Sequence, residues 1–85
     1  MPTYQAPVQN VNLQNITAST SLSNCNTISI LNSSADALEV VNDDTSEGIV
    51  LKQGESVTLS ASTGFVLPMI NLNSAGTIDC QIITT

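Results

Sequence analysis

Gly48-Ile49-Val50-Leu51-Lys52-Gln53-Gly54-Glu55-Ser56-Val57-Thr58-Leu59-Ser60 is the stretch whose reading decides the fold class. Ile49 and Leu51 fall on one side of a two-residue period, and so do Val57 and Leu59. Between them, Lys52-Gln53-Gly54-Glu55 is polar and holds a glycine. The pattern predicts a β-hairpin with one dry face and one wet face.

The same rhythm extends in both directions. Upstream, Ile28 and Ile30 alternate, Asn32 to Asp36 reads as a turn, Leu38 and Val40 alternate, and Asn42 to Gly48 reads as a polar loop. Downstream, Thr63-Gly64 turns the chain, Val66 to Leu72 is an apolar run, Ser74-Ala75-Gly76 turns again, and Ile78, Cys80 and Ile82 alternate. Turn signals at this spacing, with no sustained helical period, predict an all-β chain: a small antiparallel β-sandwich or barrel of about six or seven strands over residues 26–85. Its core is expected to hold Ile28, Ile30, Leu38, Val40, Ile49, Leu51, Val57, Leu59, Ile70, Ile78, Cys80 and Ile82.

Residues 1–25 read differently. Met1 to Asn24 carries no charge, contains Pro2 and Pro7, and is rich in Gln and Asn. Its apolar residues are spaced irregularly, apart from Val11 and Leu13. An extended N-terminal arm is expected, with one strand near Val11 to Ile16. The arm is expected to lie over neighbouring chains, with Val8, Val11, Leu13 and Ile16 filling shallow pockets there.

Composition narrows the function. The chain has 85 residues, no His, no Trp and a single basic residue, Lys52. Ser and Thr hydroxyls are plentiful, but no imidazole is present to activate one, and Lys52 falls in a turn where it is solvated. A non-enzymatic protein is therefore expected. Two cysteines without histidine cannot complete a four-ligand zinc site. The acidic cluster Asp36, Glu39, Asp43, Asp44 and Glu47 does not match the twelve-residue calcium loop and reads as a solvated loop, so neither metal nor cofactor is expected. A formal net charge of −6 argues against nucleic acid and against an anionic membrane surface. No apolar run approaches a membrane span, and Met1 to Gln5 lacks a basic leader, so synthesis in a cytoplasm is expected. Asn15-Ile16-Thr17 and Asn32-Ser33-Ser34 match the glycosylation pattern, as chance allows in a chain so rich in these residues.

Two readings of Cys25 and Cys80 stand. A disulfide closing so long a loop stabilises by about 4 kcal/mol in the chain-entropy picture. A reducing cytoplasm disfavours it, and Cys80, in phase with Ile78 and Ile82, also reads as a small buried apolar side chain.

Size points to partners. A chain this short buries roughly 63% of its unfolded surface, a marginal core that usually needs reinforcement. Only 9% of residues are charged, less than a free cytosolic monomer carries. In Phe65-Val66-Leu67-Pro68-Met69-Ile70, Pro68 cannot donate to a ladder and favours an edge or bulge, and an apolar edge has to be covered. Phe65, Val66 and Met69 are expected at a subunit contact, with a homotrimer as the expected assembly.

From Thr27 to the C-terminus the chain resembles small virion structural proteins of tailed bacteriophages. The resemblance rests on Ile28-Ser29-Ile30-Leu31-Asn32, Leu51 to Leu59, Val66-Leu67-Pro68 and Gly76-Thr77-Ile78-Asp79-Cys80. It implies a capsid decoration, or cement, protein on the virion surface, clamping the major capsid protein. The alternatives are another virion part (a head–tail connector, a tail subunit or a receptor-binding tip) or a small ligand- or carbohydrate-binding β-module.

Overall fold

The computed structural model describes residues 11–85, and eight strands form among them. They are β1 (Asn12–Ile16), β2 (Thr20–Leu22), β3 (Thr27–Asn32), β4 (Leu38–Asn42), β5 (Gly48–Leu51), β6 (Ser56–Ser60), β7 (Ile70–Asn73) and β8 (Cys80–Thr84). Two antiparallel four-stranded sheets result, a first with the order β1-β8-β3-β6 and a second with the order β2-β7-β4-β5. The first strand pairs with the last, the second with the seventh, the third with the sixth and the fourth with the fifth. Those are the pairings of one long two-stranded ribbon; the added contacts β3·β8 and β4·β7 roll it into a sandwich. Eight strands paired this way make a jelly roll.

The two-residue alternation fixes which side of each strand is dry. Ile28, Ile30, Cys80 and Ile82 line the core from the first sheet, and Leu22, Leu38, Val40, Leu51, Ile70 and Leu72 line it from the second. Burying a side chain of this size contributes about 1.5–3 kcal/mol, so these residues supply most of what offsets chain entropy.

The stretch from Gly48 to Ser60 is not the expected hairpin. β5 pairs with β4, placing Leu51 opposite Leu38, while β6 pairs with β3, placing Leu59 opposite Ile28. Lys52 to Glu55 is thus an arch from one sheet to the other. The Glu55 amide donates to the Lys52 carbonyl at 3.0 Å, and the Glu55 carboxylate accepts from the Lys52 amide at 2.7 Å. Gly54 takes φ +82° there, a conformation that disfavours any side chain. An arch and a hairpin carry the same alternation, because in both the dry faces meet a common interior.

Asn32 holds the arch in place. It is completely buried. Its side-chain amide donates to the carbonyls of Leu51 at 2.9 Å and Asp36 at 3.0 Å, and its side-chain oxygen accepts from the Ser34 amide at 3.1 Å. Its backbone pairs with Gly54 and Glu55. One residue therefore ties the end of β3 to the arch and to the β3–β4 turn.

The core differs from expectation at a few places. Ile49 is 44% exposed and Val57 and Leu59 are half-buried, because β5 and β6 are the edge strands along one flank and the sandwich stays open between them. Leu22 and Leu72 are core residues the periodicity did not mark. The run from Phe65 to Met69 is irregular, and β7 begins only at Ile70. Two of the eight strands, β1 and β2, come from the stretch read as an arm: β1 lies on β8 and β2 on β7.

Candidate subunit interface

The connection between β6 and β7 presents apolar side chains from a well-anchored backbone. The Asn26 side-chain amide donates to the carbonyls of Ser62 at 3.1 Å and Phe65 at 2.8 Å, and the Ala61 amide donates to the Asn26 carbonyl. The Leu67 amide donates to the Cys25 carbonyl at 2.7 Å, and the Asp43 amide to the Met69 carbonyl at 2.9 Å. Gly64, at φ +85°, makes the turn that the Phe65–Ser62 bond closes. Leu67 packs inward against the core. Phe65 is left 68% and Val66 59% exposed, with Met69 exposed beside them. Isolated apolar side chains on a surface are ordinary; three on one anchored loop make it the candidate contact.

A second apolar surface lies on the outer face of the first sheet. Leu13 is directly opposite Ile83, and Gln81, two residues before Ile83, is opposite Leu31. Val11, Leu13, Leu31 and Ile83 are all exposed, Leu13 most of all at 72%.

The expected interface residues therefore separate. Val11 and Leu13 lie on the sheet face, and Phe65, Val66 and Met69 on the loop. Ile16 packs against the core instead, because it pairs with the buried Cys80. Val8 lies outside the described residues. Leu31 and Ile83 were missed although a signal was present: each is out of phase with its buried neighbours, Ile28 and Ile30 or Cys80 and Ile82, so each must point outward.

Between β5 and β6 the open flank forms a groove of about 320 Å³, lined by Val40, Ile49, Leu59, Leu67 and Pro68, with Asn42, Thr45 and Glu47 at its polar end. Among the described residues no group of three or more His, Cys, Asp or Glu side chains converges as a metal site. Asp36 and Asp43 have structural partners: the Asp36 carboxylate accepts from the Thr77 amide at 2.7 Å, and Asp43 accepts from the Asn71 side chain at 2.9 Å. Both cysteines are free thiols. Cys25 donates to the Ser23 carbonyl at 3.2 Å. Burial, and secondarily the Asp79 carboxylate, push the Cys80 thiol above its ordinary value, the opposite of what a nucleophilic thiolate needs.

Comparison with known protein families, with curated proteins and with solved structures finds no match for this chain.

Proposed function

We propose that this chain is a non-enzymatic structural subunit of a virion, a capsid decoration protein of the tailed-bacteriophage type that binds the head shell through its β6–β7 loop. The observation that carries the reading is the pairing of exposed Phe65, Val66 and Met69 with a backbone held by Asn26, Cys25 and Asp43. Such a loop loses little conformational freedom when it docks. Jelly rolls serve viral capsids among other uses, which is an analogy of fold and carries less weight than the loop. The major capsid protein is the partner, and a homotrimer is the expected assembly.

The experiment is attachment. Purified chain is mixed with head particles that lack it, and binding is followed by co-sedimentation. The wild type should saturate the particles at a fixed stoichiometry, and a Val66→Asp, Met69→Asp double variant should stay in the supernatant while remaining folded. Equal binding by both would remove the loop from the account.

The flank groove favours a second reading, a small ligand-binding module, because Asn42, Thr45 and Glu47 border an apolar trough. Carbohydrate sites usually add aromatic platforms, and only Tyr4 and Phe65 are aromatic here. Saturable binding of a glycan, lost on Glu47→Gln and Thr45→Val, would favour that reading over attachment to a shell.

A further inference from the structure

Along the flank formed by β5 and β6 the sandwich is open. Among the described residues β5 pairs only with β4 and β6 only with β3, so each presents a row of backbone amides and carbonyls that no strand covers. β5, Gly48-Ile49-Val50-Leu51, holds neither a charge nor a proline, and Ile49 and Val50 are exposed. Natural edges are blunted by such residues, and an edge without them pairs readily with another strand. Inside the flank lies the apolar trough of about 320 Å³, with Asn42, Thr45 and Glu47 at its polar end. An uncovered edge beside an apolar trough suits an extended segment, whose backbone bonds to the edge while alternate side chains fill the trough.

Residues 1–10, which lie outside the described residues, carry the matching pattern. Val8 has no regular partner among the larger aliphatic residues. With Tyr4 and Ala6 it completes a two-residue period, and Thr3, Gln5, Pro7 and Gln9 occupy the other phase.

Chain length decides whose segment fits. Asn12, Thr84, Ile28 and Leu59 stand in one row across the first sheet, and Leu59 is a wall of the groove. Three strand spacings, about 14 Å in all, therefore separate the start of β1 from that wall. Val8 lies four residues before Asn12 and reaches at most about 14 Å from it when fully stretched, along a line that β8 and β3 occupy. The alternating residues cannot fill the groove of their own chain. Charge permits a second copy to supply them: each chain has a net charge of −6, but residues 1–10 hold no charged side chain. This segment can lie beside Glu47 of a neighbour without setting carboxylate against carboxylate.

We propose that Tyr4, Ala6 and Val8 of one copy add as a strand to β5 of the next copy and fill its flank groove. With that phase bonded to the edge, Pro7 falls in the phase that bonds nothing. It then sits on the outermost strand, where proline is tolerated and stops further pairing. The polar end of the groove offers acceptors to the Tyr4 hydroxyl, which needs one when buried. The contact is head-to-tail, and around a three-fold axis it closes into a ring. The inference rests on the homotrimer of the proposed function and not on the capsid as partner.

Tyr4 reports on the contact by itself, because the chain has one tyrosine and no tryptophan. Sedimentation equilibrium of the full chain should give a trimer, with Tyr4 fluorescence anisotropy rising and acrylamide quenching falling in step with assembly. Val8→Asp in the segment and Ile49→Asp in the groove should each give a monomer with wild-type circular dichroism. Mixed, the two monomers should form a one-to-one complex, at higher concentration than the ring needs, because each pair holds one intact segment and one intact groove. Should Ile49→Asp unfold, the wild type decides through Tyr4, whose signal must follow concentration. A wild type that stays monomeric, a Tyr4 signal independent of concentration, or two folded variants that do not combine would overturn the proposal. Shell attachment is read separately by co-sedimentation with head particles. Trimers that exchange segments and bind no heads would remove the capsid reading alone. Protection of the groove only on head particles would give the flank to a strand of the capsid protein and overturn the exchange.

Discussion

Replacing Asn32 with Leu keeps the branching and heavy-atom count of the side chain and removes all of its polar chemistry. In the fold, that side chain donates to the carbonyls of Leu51 and Asp36 and accepts from the Ser34 amide, and the residue is completely buried. Each such bond is worth about 1 kcal/mol net, or about 3 kcal/mol for the three. Groups stranded without water raise the loss toward about 5 kcal/mol. At about 0.05–0.15 kcal/mol per residue, a chain of this length has roughly 4–13 kcal/mol of total stability. A loss of about 3 kcal/mol corresponds to a fall of roughly 12–24 °C in the unfolding midpoint of a small domain. Thermal unfolding followed by far-ultraviolet circular dichroism reads this directly, and urea unfolding should show a lower midpoint at unchanged slope. Thr58→Ala, which breaks only the exposed bond to Ser29, serves as the control and should shift the midpoint by a few degrees at most. If Asn32→Leu also falls within a few degrees of the wild type, Asn32 does not hold the arch, and the account of how β5 leaves its sheet is wrong.

Gly48→Ala should destabilise by about 1–3 kcal/mol, because its new methyl group would stand 2.7 Å from the Val40 carbonyl oxygen; chemical denaturation measures it. Asn26→Ala should loosen the β6–β7 loop and speed hydrogen exchange at the Phe65 and Leu67 amides while β3 and β8 stay protected. Alkylation of the native protein should label Cys25 first and Cys80 only after unfolding. Because the folded Cys80 thiol has the higher pKa, its contribution to stability is complete below the ordinary thiol value of about 8.5 and declines as pH rises above it. Replacing Cys80 with Ala should flatten that alkaline decline.

The dry side of each strand was legible in the sequence and the neighbour of each strand was not. Ile28, Ile30, Leu38, Val40, Leu51, Ile70, Ile78, Cys80 and Ile82 are buried as their alternation predicts. Alternation records which way a side chain points. It carries no information about whether the next strand continues in the same sheet, which is why Lys52 to Glu55 read as a hairpin turn and folds as an arch. The second gap has a different cause. A strand near Val11 to Ile16 was legible, but as part of an arm, because Asn12, Leu13, Gln14 and Asn15 are all exposed and leave β1 without a dry face beyond Ile16, and β2 is too short for periodicity to register. Asn32 escaped because a turn asparagine and a buried clamp look alike until its three partners, distant in sequence or across a turn, are brought together. For the candidate interface, Phe65, Val66 and Met69 were legible through Pro68, which forbids a regular strand there. Leu31 and Ile83 were legible in principle from their phase, and Val11 and Leu13 were named from the sequence as contact residues of the arm.

The central claim is that this chain is a structural part of a virion, and quantitative mass spectrometry of purified particles, with immunogold or cryo-electron microscopy to locate the chain, tests it most directly. The account predicts a fixed number of copies per particle, on the outer surface of the head shell, with the β6–β7 loop against the capsid protein. Particles that contain none of the chain, or that carry it only at the tail tip or connector, would contradict it.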